Sequence, residues 1–396
     1  MELKLDAAKW RRIRGMARLL AALDAKGGLT RYVGGAVRDG LLGLPVNDVD
    51  LATRLKPDEV IRRLEKARIK AVPTGIDHGT ITAVSDGHPF EITTLRTDVS
   101  TDGRRATVAF TDDWKADAAR RDFTINALSA DPESGEIFDY FGGLDDLGQR
   151  HVRFIGDPLQ RIAEDHLRIL RFFRFHARFG LGEPDSEAID ACAQCVNALM
   201  SLSRERIADE LLKLLGMPDP AATVRIMLER AILKPVVPEI EVKRLASLEA
   251  LINAEVESGI APDPLRRLAA LLPQDAALAE DIASRLRFSN KAKKRLACSV
   301  VGELGASPPA LAYNVGNDCA VDRLLLAGQT SDAVSIKAWN RPRLPISGGG
   351  LIARGLPAGP IVAKTLKQID NRWVEAGFPT GDAFDRIVSD EIRNAR

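Results

Sequence analysis

Arg31-Tyr32-Val33-Gly34-Gly35-Ala36-Val37-Arg38-Asp39, followed after Gly40–Asn47 by Asp48-Val49-Asp50, reads as a short strand, a tight turn, a short helix and a second strand. Gly34 and Gly35 let the backbone bend sharply and approach a ligand closely, which a side chain would prevent. They fall where a helix would start, so backbone N–H groups and the positive end of the helix dipole offer an anion site. Asp48 and Asp50 are two apart, and a strand would put both carboxylates on one face. Hard oxygen ligands beside an anion pocket suit Mg²⁺ holding a triphosphate. The plainer alternative is a glycine turn followed by a solvated acidic strand.

Gly34-Gly35-Ala36-Val37-Arg38-Asp39 with Asp48-Val49-Asp50 resembles the head-domain signature of the bacterial-type (class II) tRNA nucleotidyltransferase/poly(A) polymerase family, within the DNA polymerase β nucleotidyltransferase superfamily. The resemblance implies a small polymerase β-like head of mixed sheet and helices. It also implies that Asp48 and Asp50 bind two Mg²⁺ ions, with Gly34, Gly35 and Arg38 at the triphosphate.

Working outward, the 396 residues suffice for two or three domains. Apolar content of 45% and charged content of 28% are those of a soluble globular protein. The net charge of +1 gives no overall preference of sign, so a nucleic-acid partner must be met by local basic surfaces. No apolar run approaches the ~20 residues of a membrane helix. Met1 to Leu20 is charged and lacks the apolar stretch of a secretory signal. Cys192-Ala193-Gln194-Cys195 has metal-like spacing without a matching pair or histidine cluster, so buried thiols are expected. Reduced thiols with no targeting segment point to the cytoplasm.

Lys9 to Leu23 has helical periodicity, with Trp10, Ile13, Leu20 and Leu23 available to one face. Pro57 opens a helix with Asp58 and Glu59 in its first turn. Short β-prone runs follow at Ala71-Val72, Gly79–Val84 and Pro89–Leu95. Without regular βαβ alternation they indicate an α+β head and not a doubly wound sheet. Glu91 stands in a β-branched and aromatic run, where a carboxylate is costly unless paired or metal-bound. The resemblance makes it the third catalytic carboxylate; an edge-strand glutamate facing water is the alternative. Arg96 to Trp114, polar and turn-rich, is expected to be a mobile surface loop. In the family such a loop helps the switch from adding C to adding A, and enzymes adding only CC lack part of it.

Arg120-Arg121-Asp122-Phe123-Thr124-Ile125-Asn126 is a second family-like motif, in which Asp122 is placed to cap a helix and Phe123, Ile125 and Leu128 to enter the core. By resemblance Arg121 contacts the nucleotide. Ile137 to Leu147 resembles a junction between head and neck, its glycine pair fitting a hinge.

Asp157-Pro158 opens a long helical run closed by Gly180. Leu167, Ile169, Leu170, Phe173 and Ala177 form its expected core stripe. Asp165, Arg168 and Arg171 step by three and share roughly a third of the circle on the other side. They could be a solvated salt bridge. Base reading has the better chemistry, since a carboxylate accepts from an exocyclic amine and a guanidinium donates to a ring acceptor. Cytosine and adenine match that polarity; uracil and guanine oppose it. The family's Glu-Asp-x-x-Arg motif puts Asp165 and Arg168 in the base-pairing positions and assigns nucleotide contact to Arg171 and Arg174.

From Asp185 onward the chain reads as helices without a fixed repeat. Ser284–Arg295 holds six basic residues and no acidic one, and Val334–Arg372 holds seven against Asp370 alone. Acid-free runs in a near-neutral protein suggest a phosphate-backbone surface. Gly348-Gly349-Gly350 lacks a Walker lysine and reads as a turn before a helix. The expected organisation is a catalytic head at 1–150, a neck at 151–215 and an all-α body and tail at 216–396. The implied activity is addition of CCA to the 3′ end of tRNA from CTP and ATP, with RNA and not DNA as the polymer and no membrane. A poly(A) polymerase of the same family and a catalytically silent RNA-binding protein are the competing readings.

Overall fold

Among the described residues, nine short strands carry the first part of the chain: β1 (Thr30–Val33), β2 (Asp50–Thr53), β3 (Lys70–Gly75), β4 (Thr80–Ser85), β5 (His88–Thr94), β6 (Arg96–Asp102), β7 (Arg105–Phe110), β8 (Ser129–Ala130) and β9 (Ile137–Phe138). The computed structural model describes residue 5, residues 9–102 and residues 105–395. Seven strands form a mixed sheet in the order β3-β4-β5-β2-β1-β8-β9, and β6 and β7 form a separate ribbon. Within the sheet β2 and β5 run parallel, in a register that sets Asp50 beside Glu91 and Leu51 beside Ile92. The other sheet pairs are antiparallel. Alternation buries Ile81 and Ala83 of β4 and Phe90 and Ile92 of β5, leaving Glu91 exposed.

Around these strands lie α1 (Met16–Ala22), α2 (Gly35–Leu41), α3 (Pro57–Lys66), α4 (Trp114–Ala119), α5 (Gly143–Gly148), α6 (Pro158–Glu164), α7 (Arg168–Phe179) and α8 (Ser186–Gln194). The chain divides into two compact units, Met1–Ser203 and Arg204–Arg396. The head is therefore α+β, as expected, and the remainder helical.

Four details of the first unit differ from the sequence expectation. Lys9–Leu23 is a 3₁₀ turn at Lys9–Arg12 followed by α1, and Gly15 (φ 88°) separates them. A Cβ on Gly15 would stand 2.6 Å from the Ser85 carbonyl oxygen, so close approach to β4 fixes the break. Residues of the expected loop at Arg96–Trp114 pair as β6 and β7, because the Val and Thr residues among the polar ones favour strands. Gly103 and Arg104 of that loop lie outside the described residues, as do residues 1–4 and 6–8 of the stretch read for a signal segment. The Gly142-Gly143 pair starts α5, where Asp139 accepts from the Gly143 and Leu144 amides. A Cβ on Gly143 would meet the Thr124 carbonyl oxygen at 2.3 Å, so its glycine serves packing. Finally, the run from Pro158 to Gly180 is two helices, broken at Asp165.

The second unit comprises α9 (Arg204–Leu215), α10 (Ala221–Glu229), α11 (Leu245–Ser258), α12 (Pro264–Leu271), α13 (Ala276–Arg285), α14 (Asn290–Ser299), α15 (Pro308–Val315), α16 (Asn317–Leu326), α17 (Thr330–Lys337), α18 (Gly348–Ala353), α19 (Pro360–Glu375) and α20 (Asp382–Asn394). A buried ion network holds several of them. Asp322 accepts from Arg266, Arg295 and Ser299, and Glu255 accepts from Arg266 and Arg267. Arg295 of the basic run is thus a structural residue, and Arg285 pairs with Glu239 and Asp281. Gly348-Gly349-Gly350 forms the first turn of α18 itself, capped by Ser347. Cys298 and Cys319 are joined in a disulfide between α14 and α16, which corrects the expectation of reduced thiols throughout; Cys192 and Cys195 are free, Cys192 buried.

Candidate active site

The parallel β2–β5 pairing brings two carboxylates from distant parts of the chain into adjacent positions, Asp50 at the start of β2 and Glu91 in β5. Asp48 lies two residues before β2, in irregular backbone and not in a strand as its spacing suggested. Asp50 is exposed at the start of β2. Partial burial first, then the charges of Glu91 and Asp48, raise its pKa, against the opposing pull of Arg121. These are hard oxygen donors under mutual repulsion, the state a divalent cation relieves. Among the described residues no group of three or more His, Cys, Asp or Glu side chains is gathered closely enough to hold a metal.

The glycine turn sits alongside. Gly34 has φ 64° and ψ −128°, a backbone state open essentially to glycine, and joins β1 to α2. A Cβ there would lie 3.0 Å from Nη1 of Arg121. Arg121 donates to the Asn126 carbonyl (3.4 Å) and pairs with Asp117 (3.5 Å); burial lowers its pKa and Asp117 opposes the shift. Arg38, 5% exposed, donates through Nε to Asp39 (2.8 Å) and through Nη1 to the Asn126 side chain. Its guanidinium lies 4.1 Å from the Phe179 ring centroid and 5.3 Å from that of Phe175, both in α7.

Asp122 is not the helix cap expected of it. Its carboxylate accepts from the Phe123 amide (2.9 Å), from the Asn126 side chain (2.9 Å) and from Arg171 Nε (2.8 Å) and Nη2 (2.6 Å). Burial alone would raise its pKa, but the Arg171 charge and these hydrogen bonds outweigh burial and hold it below the usual carboxylate range. Phe123, Ile125 and Leu128 are buried, as expected.

At the break between α6 and α7, Asp165 has extended backbone (φ −152°, ψ 107°), and its carboxylate accepts from the Leu167 amide at 3.1 Å. Asp165 and Arg168 are therefore separated by a turn, linked through the Arg168 amide and the Asp165 carbonyl, and do not lie along one continuous helix. Arg168 begins α7, pairs with Glu164 and donates to the carbonyls of Arg161 (2.9 Å) and Arg120 (3.2 Å). Arg174 lies 4.5 Å above the Phe175 ring. The core face of α7 is wider than its stripe predicted, with Phe172, Phe175, His176 and Phe179 also buried and Ala177 half-buried.

Residues 30–153 match the family model for the poly A polymerase head domain, and residues 183–243 match the one described as a probable RNA and SrmB-binding site of polymerase A. The chain is 35% identical to the mitochondrial CCA tRNA nucleotidyltransferase 1 of Mus musculus, over 91% of this chain and 85% of that protein. It is 31% identical to the CCA-adding enzyme of Streptococcus gordonii, over 91% and 93% respectively. The CCA-adding enzyme of Bacillus stearothermophilus, solved in complex with CTP, superposes with a TM-score of 0.76 at 25% identity, covering 96% of this chain and 98% of that one. The chain belongs to the tRNA nucleotidyltransferase/poly(A) polymerase family.

Family membership implies use of a divalent metal; Asp50, repelled by Glu91 and Asp48, offers the hard oxygen chemistry for one, although the three are not gathered into a ready-made cluster among the described residues. The residues that the sequence did not single out are those that hold the nucleotidyltransferase motifs together. Glu164 grips both Arg161 (2.9 Å) and Arg168, and its i,i+4 spacing to Arg168 was a usable signal. Asp39 accepts from Arg38 and, 139 positions later in the chain, from Arg178 (2.9 Å). Asn126 links Arg38 to Asp122. Both lie within quoted motifs, but their linking roles depend on remote partners, Arg178 for Asp39 and Arg38 for Asn126, 139 and 88 positions away, which leave no sequence signal.

Proposed function

We propose that this protein adds C, C and A to the 3′ end of tRNA, using CTP and ATP, releasing pyrophosphate and needing no nucleic-acid template. One observation carries the reading: a carboxylate pair in strand register, Asp50 and Glu91, lies in the same unit as a glycine turn and an arginine-bearing helix anchored through Arg171 to Asp122. Relatives named for CCA addition, in bacteria and in mitochondria, support the same activity.

In this reading Asp48 and Asp50 hold Mg²⁺, with Glu91 as the third carboxylate. Bound there, Mg²⁺ would activate the terminal 3′-hydroxyl and neutralise the leaving pyrophosphate. Gly34 and Gly35 let the backbone come up to the triphosphate, and Arg38 and Arg121 offset its charge. Asp165 accepts from the exocyclic amine of C or A while Arg168 donates to the ring acceptor; U or G would leave both groups mismatched. Glu164 keeps the Arg168 guanidinium presented at the turn. Arg171 and Arg174 complete the nucleotide contacts.

Residues 1–150 act as head, 151–215 as neck and 216–396 as body and tail. Lys291, Lys293, Lys294, Lys337, Arg343, Lys364 and Lys367 form no ion pair among the described residues and would meet tRNA phosphates. No helix among the described residues is long and apolar enough to cross a membrane. The site of action proposed is cytoplasmic; the Cys298–Cys319 disulfide means reduced thiols no longer argue for it.

The test incubates the protein with Mg²⁺, labelled CTP or ATP, and tRNA lacking its last three, two or one nucleotides. Growth that restores CCA and stops is expected. A ladder of A on unrelated RNA would replace this reading with poly(A) synthesis, and no incorporation at all would leave an RNA-binding scaffold.

A further inference from the structure

Helix α7 is fastened at two points on one face. Arg171 reaches Asp122, and seven residues later Arg178 reaches Asp39. Seven residues are nearly two full turns, so the two ties point the same way and lie roughly 10 Å apart along the axis. With the Arg168 bond to the Arg120 carbonyl and the buried aromatic face also holding α7, the two ion pairs set its fine angle, and loss of one lets it tilt slightly. The second tie is unusual in its other end. Asp39 also accepts from Arg38, whose guanidinium rests against Phe179 and Phe175 of the same helix. One carboxylate, 8% exposed, thus sits between an arginine of the glycine-turn helix and an arginine in the last turn of α7.

We propose that Asp39 and Arg178 are positioning residues for base choice: their ion pair fixes the angle of α7 against α2, and so the placement of Arg168 at the start of α7, where it meets the Arg120 carbonyl. The inference rests on the base-reading role given above to Asp165 and Arg168. Neither Asp39 nor Arg178 needs to touch the nucleotide. A tilt of about 10° about Arg171 would move a group some 6 Å away by roughly 1 Å, and displacement on that scale is enough to cost a large factor in rate or selectivity. The pair acts across the chain between the element that receives phosphates and the element that reads the base. Cutting it should therefore loosen selectivity and nucleotide affinity together while the unit stays folded, because Arg178 is partly exposed and its removal empties no core space.

The experiment compares wild type with Arg178→Gln, Arg178→Lys and Arg168→Ala on tRNA lacking CCA. It measures kcat and KM for CTP, the ratio of UMP to CMP incorporation, and the melting temperature. Arg178→Gln is expected to raise KM for CTP about five- to tenfold and the U/C ratio about tenfold. Its melting temperature should stay within about 2 °C of wild type. Arg178→Lys, which keeps the charge, should recover most of both. Wild-type KM and U/C ratio in Arg178→Gln would overturn the proposal, as would failure of the lysine to rescue. Arg168→Ala separates the two levels of inference. If it leaves C/A selectivity intact, the base-reading role itself is wrong. If it abolishes selectivity while Arg178→Gln does not, only the role of the Asp39–Arg178 pair is wrong.

Discussion

Gly34 combines a backbone state closed to other residues with the Arg121 guanidinium 3.0 Å from where a Cβ would stand. Gly34→Ala must therefore strain the turn and push Arg121 aside. It should cost about 1–3 kcal/mol of stability and raise KM for CTP, measurable by urea unfolding and steady-state kinetics; unchanged values on both would contradict the geometry. Asp50 presents the opposite case, a residue whose charge opposes folding. Its pKa is raised by partial burial and by Glu91 and Asp48, so the folded protein holds this proton more tightly than the unfolded chain. Without metal, its contribution is fully present below the unfolded pKa and is lost as pH rises through the folded one. Asp50→Asn should thus raise the melting temperature of metal-free protein at neutral pH by about 1–2 °C while abolishing incorporation. Added Mg²⁺ should raise the melting temperature of wild type and not of the variant.

At the scale of elements, the break between α6 and α7 explains what periodicity alone missed. Residues 158–180 contain no interior Gly or Pro and keep helical spacing, so nothing in the pattern marks a stop. The stop comes from Asp165, whose carboxylate takes the Leu167 amide and offers the backbone a local alternative to the helix. The ribbon of β6 and β7 was hidden for a related reason: its polar residues suggested a loop, whereas strand pairing uses backbone groups that composition does not report. In the second unit the Cys298–Cys319 bond joins α14 to α16 across a separation of 21 residues. Closing a loop of that length stabilises by about 3 kcal/mol. Reduction should lower the unfolding midpoint accordingly, and a Cys298→Ser protein should be insensitive to reductant. Intact mass under non-reducing conditions would show two fewer hydrogens than the reduced chain; equal masses would remove the cross-link.

Across the whole molecule, the readable features were local ones. The Gly34–Asp39 turn, Asp48, Asp50 and the Glu164–Arg168 motif announce themselves within a few residues, and the alternation of β4 and β5 shows which face is buried. The contacts that place these pieces, Arg171 on Asp122 and Arg178 on Asp39, span 49 and 139 positions and leave no pattern in a single sequence. Stability should carry a signature of the same interior. His176 is buried, and burial first, with the neighbouring His151 charge, lowers its pKa to about 4. The unfolded chain protonates it near pH 6.5 and the folded one does not, so stability falls as pH drops from 6.5 toward 4, by about 3 kcal/mol. Asp122, whose pKa is lowered, contributes stability present above its unfolded pKa near 3.9 and lost only as pH falls through its folded value. Unfolding midpoints between pH 7 and 4 should therefore track His176, and His176→Leu should flatten the slope.

The parallel pairing of β2 with β5 has a consequence for how freely this chain can vary. Asp50 and Glu91 keep their spacing through strand register, so the length of the excursion between them, through α3, β3 and β4, does not set it. That excursion turns back at Asp86-Gly87, both exposed, and a Cβ on Gly87 would meet open space. The hairpin tip is accordingly a permissive graft point, where extra residues lengthen the chain without changing the distance between the two carboxylates.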